Sequence, residues 1–412
     1  WLCWQEGRHP VGIGLGLVRP GKVLATMGLG TPAHAVITVA GTNGKGSTVA
    51  LLEAIYRAAG YRVGAFTSPH FTHYNERIRL DGHPVSDGAL CESFERVEAA
   101  RGETSLTYFE FGTLAAIDQF HRRDMDIAIL EVGLGGRLDA VNVIDPDVAI
   151  VASVGLDHTQ WLGDDRETIG REKAGIFRAE RPAICADPEP PDSVAAVAQE
   201  KGARLYQIGR DFGYAGEGQG WRWWAGERRR HALPPPALRG AYQLRNAAAA
   251  LMAVELLAGT RPVNQKDVRV GLTAVALPGR FQVLPGRPLR ILDVAHNPQA
   301  AAALAANLRG LPCAGRTHAV VGMLGTKDIS GVLAALVDQV DCWYTAGLDS
   351  EAGVAPDELA AALKVIDSAV NVSCFADVAA AYAAASEAAG DEDRLLVFGS
   401  FYTVGAVLKE LS

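Results

Sequence analysis

Two textures alternate along the chain: short β-rich apolar runs, and Ala-rich stretches whose apolar positions recur at helical spacing. Strands apolar almost throughout are those buried on both faces, so the alternation predicts parallel sheets with helices packed on either side. In the first part strands are predicted at Ala35–Ala40, Arg62–Phe66, Ile127–Val132, Val148–Val154 and Ala183–Ala186. The helices predicted between them are Lys45–Ala59, Gly88–Arg101, Tyr108–Arg123 and Glu167–Phe177. Around Arg204–Leu233 the texture changes. Trp221, Trp223 and Trp224 alternate with polar and glycine positions before a basic Arg228–His231 run, the pattern of a small antiparallel sheet with a solvated edge.

Helices are predicted again at Tyr242–Leu257 and Gln265–Ala276, and the Pro/Gly-punctuated stretch Leu277–Pro288 reads as a hinge. The α/β pattern then restarts, with strands at Ile291–Val294, Ala319–Met323, Trp343–Thr345, Asn371–Phe375 and Leu395–Phe398. Their helices are Gln299–Leu308, Ile329–Val340, Pro356–Leu363, Val378–Ala389 and Tyr402–Leu411. The expected organisation is a doubly wound, mostly parallel domain over residues 1–284 and a smaller Rossmann-like α/β domain over 289–412. A chain of 412 residues suits two such cores.

Composition narrows the class. Hydrophobic residues make up 49% and charged residues 21%, and the net charge of −8 argues against a general nucleic-acid or membrane-surface binder. Six cysteines without a C-x-x-C pair suggest neither a zinc site nor a disulfide framework, and are expected to be reduced and mostly buried. With no apolar run near the ~18 residues of a membrane span and no export signal, a cytoplasmic protein is expected. The chain begins at Trp1, and a few natural residues are expected to precede it.

Candidate chemistry begins where the strand Val36–Val39 runs into Ala-Gly-Thr-Asn-Gly-Lys-Gly-Ser-Thr, Ala40 to Thr48, and then into a helix. Gly41, Gly44 and Gly46 let backbone N–H groups converge on a polyphosphate, the helix N-terminus adds its positive dipole end, and Lys45 neutralises terminal phosphate charge. Ser47 or Thr48 is placed to hold Mg²⁺. The spacing departs from the standard P-loop, because Gly46 separates Lys45 from Ser47 and Val39 stands where that pattern has glycine. Glu131 ends one strand ahead of a double glycine and His158 follows another, both at the sheet edge where ligands of open α/β folds gather. Either is also compatible with an ordinary solvated or capping role.

The loop G-T-N-G-K-G-S resembles that of the Mur ligase superfamily, and more closely that of folylpolyglutamate and dihydrofolate synthases of the bacterial bifunctional type. Further motifs carry the resemblance over some 350 residues. They are Thr67-Ser68-Pro69-His70 with Glu76-Arg77-Ile78, Phe109-Glu110, E-V-G-L-G-G-R-L-D-A from Glu131, G-L-D-H-T from Gly155 and Glu172-Lys173-Ala174-Gly175-Ile176. Asn246-Ala247, Leu277-Pro278-Gly279-Arg280-Phe281, Asp293-Val294-Ala295-His296-Asn297-Pro298 and Phe398-Gly399-Ser400-Phe401 continue the series.

The resemblance implies a Mur ligase central-type ATP-binding domain followed by a glutamate-ligase domain. It implies that Gly41, Thr42, Asn43, Gly44, Lys45, Gly46, Ser47 and Thr48 hold the ATP phosphates, with Asn246, Arg280 and Asp293 also on the nucleotide. Ser47 and Glu131 would hold one Mg²⁺; His158 and Lys173, carbamylated in the family, would serve a second. A monovalent cation such as K⁺ joins the implied cofactors. Ser68, Arg77 and His296 would position the acyl acceptor and glutamate, with Ser400 on glutamate and Phe109 and Asp139 on the pterin. Lys45, His296, Lys173 and Ser68 are the implied catalytic set.

The reaction so implied joins L-glutamate to dihydropteroate and to tetrahydrofolates through an acyl phosphate, in a monomer without nucleic-acid or membrane partners. A rotation about Leu284–Pro288 is expected to close the domains. A monofunctional folylpolyglutamate synthase is the neighbouring alternative. From other classes, a P-loop switch or motor needs the strict loop that is absent here. A dinucleotide oxidoreductase needs a G-x-G-x-x-G that Gly12-Ile13-Gly14-Leu15-Gly16 does not complete, and that run is read as a loop lining the substrate cleft.

Overall fold

The computed structural model describes residues 1–6 and 14–411. Gly12 and Ile13 of the N-terminal glycine run lie outside the described residues. Of the remainder of that run, Gly16 donates its N–H to the Leu138 carbonyl at 2.9 Å.

The chain forms two compact units. Tyr74–Ala237 and Leu244–Val275 join the described residues up to His70 in the first, while Phe71–His73, Leu238–Gln243 and the chain from Ala276 onward make the second. In the first unit, β1 (Ala35–Ala40), β2 (Val63–Phe66), β3 (Ile78–Leu80), β4 (His83–Pro84), β5 (Ile127–Glu131), β6 (Val148–Val151), β7 (Pro182–Cys185) and β8 (Arg204–Gln207) form one sheet. Its order is β4-β3-β2-β5-β1-β6-β7-β8, parallel except at β3 and β4. Every residue of β1, β2, β5, β6 and β7 is buried, which is why those runs are apolar without alternation. β1 lies between β5 and β6, so its exit loop opens at the centre of the carboxyl edge.

A second sheet of β9 (Phe212–Glu217), β10 (Gly220–Ala225) and β11 (Arg228–Leu233) is antiparallel. Its apolar face is closed by Trp221 and Trp223, and the Trp223 indole donates to the Ala248 carbonyl at 3.1 Å. The basic run does not form a free cationic face, because Arg228 and Arg230 both pair with Glu255. Arg204–Gln207 falls outside this small sheet, having paired in parallel with β7.

In the second unit β12 (Gln282–Leu284), β13 (Leu289–Leu292), β14 (Thr317–Val321), β15 (Cys342–Ala346), β16 (Asn371–Phe375) and β17 (Arg394–Phe398) pair in the order β12-β13-β17-β14-β15-β16. All but β12 are parallel. Gln282–Leu284 therefore belongs to the second sheet and not to a domain ending at 284. The Pro/Gly punctuation at 285–288 is the turn of a hairpin, so the unit boundary falls between Val275 and Ala276. The six cysteines are all free, but only Cys185 and Cys342 are buried, so the expectation of mostly buried thiols does not hold. No helix among the described residues is long and apolar enough to cross a membrane.

Candidate active site

The loop leaving β1 is preorganised by its own backbone and by the neighbouring strand. The Thr42 and Asn43 N–H groups donate to the carbonyl and hydroxyl of Ser153, and the Thr42 hydroxyl exchanges hydrogen bonds with Gly155. Gly44 caps the helix Lys45–Ala58 with φ +86°, a conformation suited to glycine, and a Cβ there would stand 2.7 Å from the Asn246 amide oxygen. The Lys45 ammonium lies back across the loop, 2.9 Å from the Gly41 carbonyl and 3.2 Å from that of Thr42. Ser47 and Asn246 are buried beside it.

Glu131 ends β5 in register with Val39, which sets its carboxylate beside the loop. It is 4% exposed and accepts the Ser68 N–H at 3.3 Å, joining the T-S-P-H motif to the same edge. Behind that motif stands a tie that inspection of the sequence missed. Arg79 donates to the Thr67 hydroxyl at 2.9 Å and is held in turn by the buried Glu53 carboxylate at 2.8 Å. Only the alternation of β3 with the interrupted apolar face of helix 45–58 hinted at it. Arg79→Ala leaves Glu53 buried without its cation and is expected to lower unfolding free energy by about 3 kcal/mol in denaturant titrations. Adding Glu53→Gln should recover part of that loss.

Lys173 lies buried on the helix Arg166–Ala174, where desolvation first, and then the nearby Lys45 charge, brings its amine down to about 7, against the opposing pull of Asp157. Asp157 belongs to the G-L-D-H-T motif and was given no role from the sequence. His158 adopts φ +52°, donates its N–H to the Asp157 carboxylate at 2.8 Å, and is half exposed. Because the folded state favours neutral Lys173 while the unfolded chain keeps its proton to a higher pH, unfolding free energy should rise with pH between about 7 and about 10. Lys173→Met should flatten that rise in calorimetric scans.

Asp139 is buried, and desolvation raises its carboxyl to about 7 despite backbone N–H bonds from Leu134, Val141 and Gly133 and the charge of Lys45. Those bonds fold the glycine loop after Glu131. Phe109 abuts the same loop, since a Cβ on Gly133 would lie 2.6 Å from its ring. Arg77 donates to His70 at 2.8 Å and its guanidinium lies over the rings of Tyr74 and Tyr108.

The glycine loop and the Lys173 helix meet backbone to backbone. A Cβ on Gly136 would stand 2.8 Å from the Lys173 carbonyl oxygen, and one on Gly175 would stand 2.6 Å from the Arg137 Cα. The sheet edge thus gathers Lys45, Ser47, Glu131, Ser68, Asn246 and Lys173. Buried hydroxyl and carboxylate oxygens at Ser47 and Glu131 are the hard donors that Mg²⁺ prefers, and Asp157 adds another near Lys173. Among the described residues no three His, Cys, Asp or Glu side chains gather to hold a metal by themselves.

In the second unit the buried Asp293 accepts N–H bonds from Phe281 and Ala295, both 2.8 Å, and burial raises its carboxyl against the charge of Arg280. His296 Nδ1 sits 2.8 Å from the Val294 carbonyl, and Arg280 lies over the Phe401 ring. Ser400 caps the helix Phe401–Glu410, accepting the Thr403 N–H, and its hydroxyl is also 2.7 Å from that of Thr403.

Two family models match the chain: the Mur ligase middle domain over residues 39–254 and the Mur ligase glutamate ligase domain over 279–401. The dihydrofolate synthase/folylpolyglutamate synthase of Escherichia coli is 47% identical over 409 residues, covering 99% of this chain and 94% of that protein. The Haemophilus influenzae protein of the same name is 38% identical over 98% of this chain and 95% of its own. Among solved structures, E. coli FolC in complex with DHPP and ADP aligns with a TM-score of 0.95 at 46% identity, covering 100% of this chain and 96% of that one. A bifunctional folylpolyglutamate synthase/dihydrofolate synthase with Mn, AMPPNP and L-glutamate bound aligns at 0.92 with 46% identity, covering 100% and 97%.

Proposed function

The chain belongs to the dihydrofolate synthase/folylpolyglutamate synthase family of Mur ligases, and from that premise we propose how its residues carry out the ligation. It is an ATP-dependent C–N ligase that joins L-glutamate to dihydropteroate and to reduced folates. A carboxylate is a poor electrophile towards an amine in water, so its oxygen first attacks the γ-phosphate of ATP, the bond to the β-phosphate oxygen breaks, ADP leaves and an acyl phosphate forms. The glutamate amine then adds to the acyl carbon and phosphate leaves.

Lys45 and the loop N–H groups neutralise charge on the transferring phosphoryl group, which loses most stabilisation if exposed to bulk water. Ser47 and Glu131 would hold Mg²⁺, whose Lewis acidity draws charge from the phosphates. His158, Asp157 and a carbamylated Lys173 would serve a second metal; a neutral, buried amine is the form that reacts with CO₂. Ser68 and Arg77 orient the acceptor carboxylate and Phe109 packs on the pterin. Asn246, Arg280 and Asp293 contact nucleotide, and His296 steadies the intermediate. K⁺ is the expected monovalent cation, and the enzyme works as a cytoplasmic monomer without nucleic acid or membrane.

The observation that supports this reading best is the gathering of Lys45, Ser47, Glu131 and Ser68 at one sheet edge. Purified protein supplied with ATP, Mg²⁺ and labelled glutamate should form an amide and inorganic phosphate with dihydropteroate and, separately, with tetrahydrofolate. Product from one acceptor alone removes bifunctionality, and product from neither overturns the assignment.

A further inference from the structure

We propose that the second unit carries a binding site for a zwitterionic α-amino acid at the amino-terminal edge of its sheet, between Arg394 and Asp341. This edge is opposite to the one from which Asp293 and His296 emerge, since both follow the carboxyl end of β13. A cleft of about 280 Å³ opens there, at the small end of the range for ligand sites and too small for a nucleotide.

Its floor is built of buried polar groups. Arg394, the first residue of β17, is 7% exposed. Its Nε donates to the Thr317 hydroxyl at 2.8 Å, and its Nη1 donates to the Leu308 and Leu311 carbonyls at 3.1 and 2.8 Å. All three acceptors are neutral, Nη2 makes no hydrogen bond among the described residues, and no carboxylate there pairs with the guanidinium. Burial accordingly holds Arg394 below the usual arginine value. A guanidinium so desolvated is stabilised by an incoming carboxylate, which its fork can bind in a fixed plane.

On the other side of Thr317, Asp341 accepts the Thr317 N–H through Oδ2 at 2.7 Å, leaving Oδ1 without a bond among the described residues. Because β17, β14 and β15 are adjacent, Arg394 and Asp341 stand two strand spacings apart, roughly 10 Å between main chains. Arg309 and Asp338 also line the cleft, so opposite charges occur in equal number. A simple anion would satisfy Arg394 and meet repulsion from Asp341 and Asp338. An α-amino acid answers both, its carboxylate to Arg394 and its ammonium to Asp341, with Gln339 facing the side chain.

The test uses the full chain and L-alanine, which lacks the second carboxylate of the ligation substrate. Calorimetric titration should detect L-alanine binding, and soaked crystals should place it between Arg394 and Asp341. Asp341→Asn keeps an acceptor for Thr317 but removes the charge, and should weaken binding about tenfold or more. Asp338→Asn, on the exposed rim, serves the same purpose should the first variant misfold, and neither should change the ligation rate. An empty cleft, unchanged affinity in both variants, or equal binding of succinate or inorganic phosphate would overturn the proposal.

Discussion

Lys45→Ala should lower turnover about a thousandfold or more with either acceptor while leaving the far-ultraviolet circular dichroism unchanged. The two halves of that expectation rest on different observations. In the structure the ammonium donates to main-chain oxygens of its own loop, at Gly41 and Thr42, and the loop is separately held by Ser153 and Gly155. Alanine is also a strong helix former, so the first turn of helix 45–58 keeps its propensity. What disappears is the positive charge that offsets the developing charge on the transferred phosphoryl group. The loss should appear chiefly in kcat, with a smaller rise in KM for ATP. Turnover within tenfold of the parent would place the nucleotide elsewhere.

Gly175→Ala is expected to reduce kcat about a hundredfold with much smaller effect on nucleotide affinity. The new methyl would collide with the Arg137 side chain and stand 2.6 Å from its Cα, so main chain must move apart. That contact joins the helix carrying Lys173 to the loop that follows Glu131, and the Arg137 N–H donates to the Glu172 carbonyl at 2.9 Å in the same place. The phosphate loop lies on a different strand and should stay as it was. Nucleotide binding measured by fluorescence displacement, beside steady-state rates, separates the two. An unaltered kcat would mean the glycine contact is only packing.

Much of this architecture was legible because burial on both faces writes itself plainly into a sequence. β1, β5 and β6 were readable as apolar runs, and the loop after β1 announced itself through glycines beside a lysine. Glu131 was legible for the same reason, being a carboxylate at the end of such a run. The boundary near residue 284 was not, because Gly and Pro mark a hairpin turn and a hinge alike, and only pairing with β13 distinguishes them. β3, three residues long and only partly buried, and the helix Asp192–Lys201, whose buried side includes a serine and otherwise only the small side chains of Val194, Val197 and Ala198, are too short to stand out. Arg79, Glu53 and Asp157 were hidden because their meaning lies in partners remote in sequence, and a charged residue in isolation is indistinguishable from a solvated one.

The second unit is spun from three separate lengths of polypeptide: Phe71 packs against Phe401 with ring centroids 5.0 Å apart, and a Cβ on Gly279 would stand 2.8 Å from the Phe71 ring. A gene fragment starting at codon 276 would therefore encode a module lacking an aromatic plug that arrives from two hundred residues upstream. Chimaeras that graft this half onto a sister enzyme should fail unless Phe71–His73 and Leu238–Gln243 travel with it, which makes the two halves co-inherited parts rather than interchangeable cassettes.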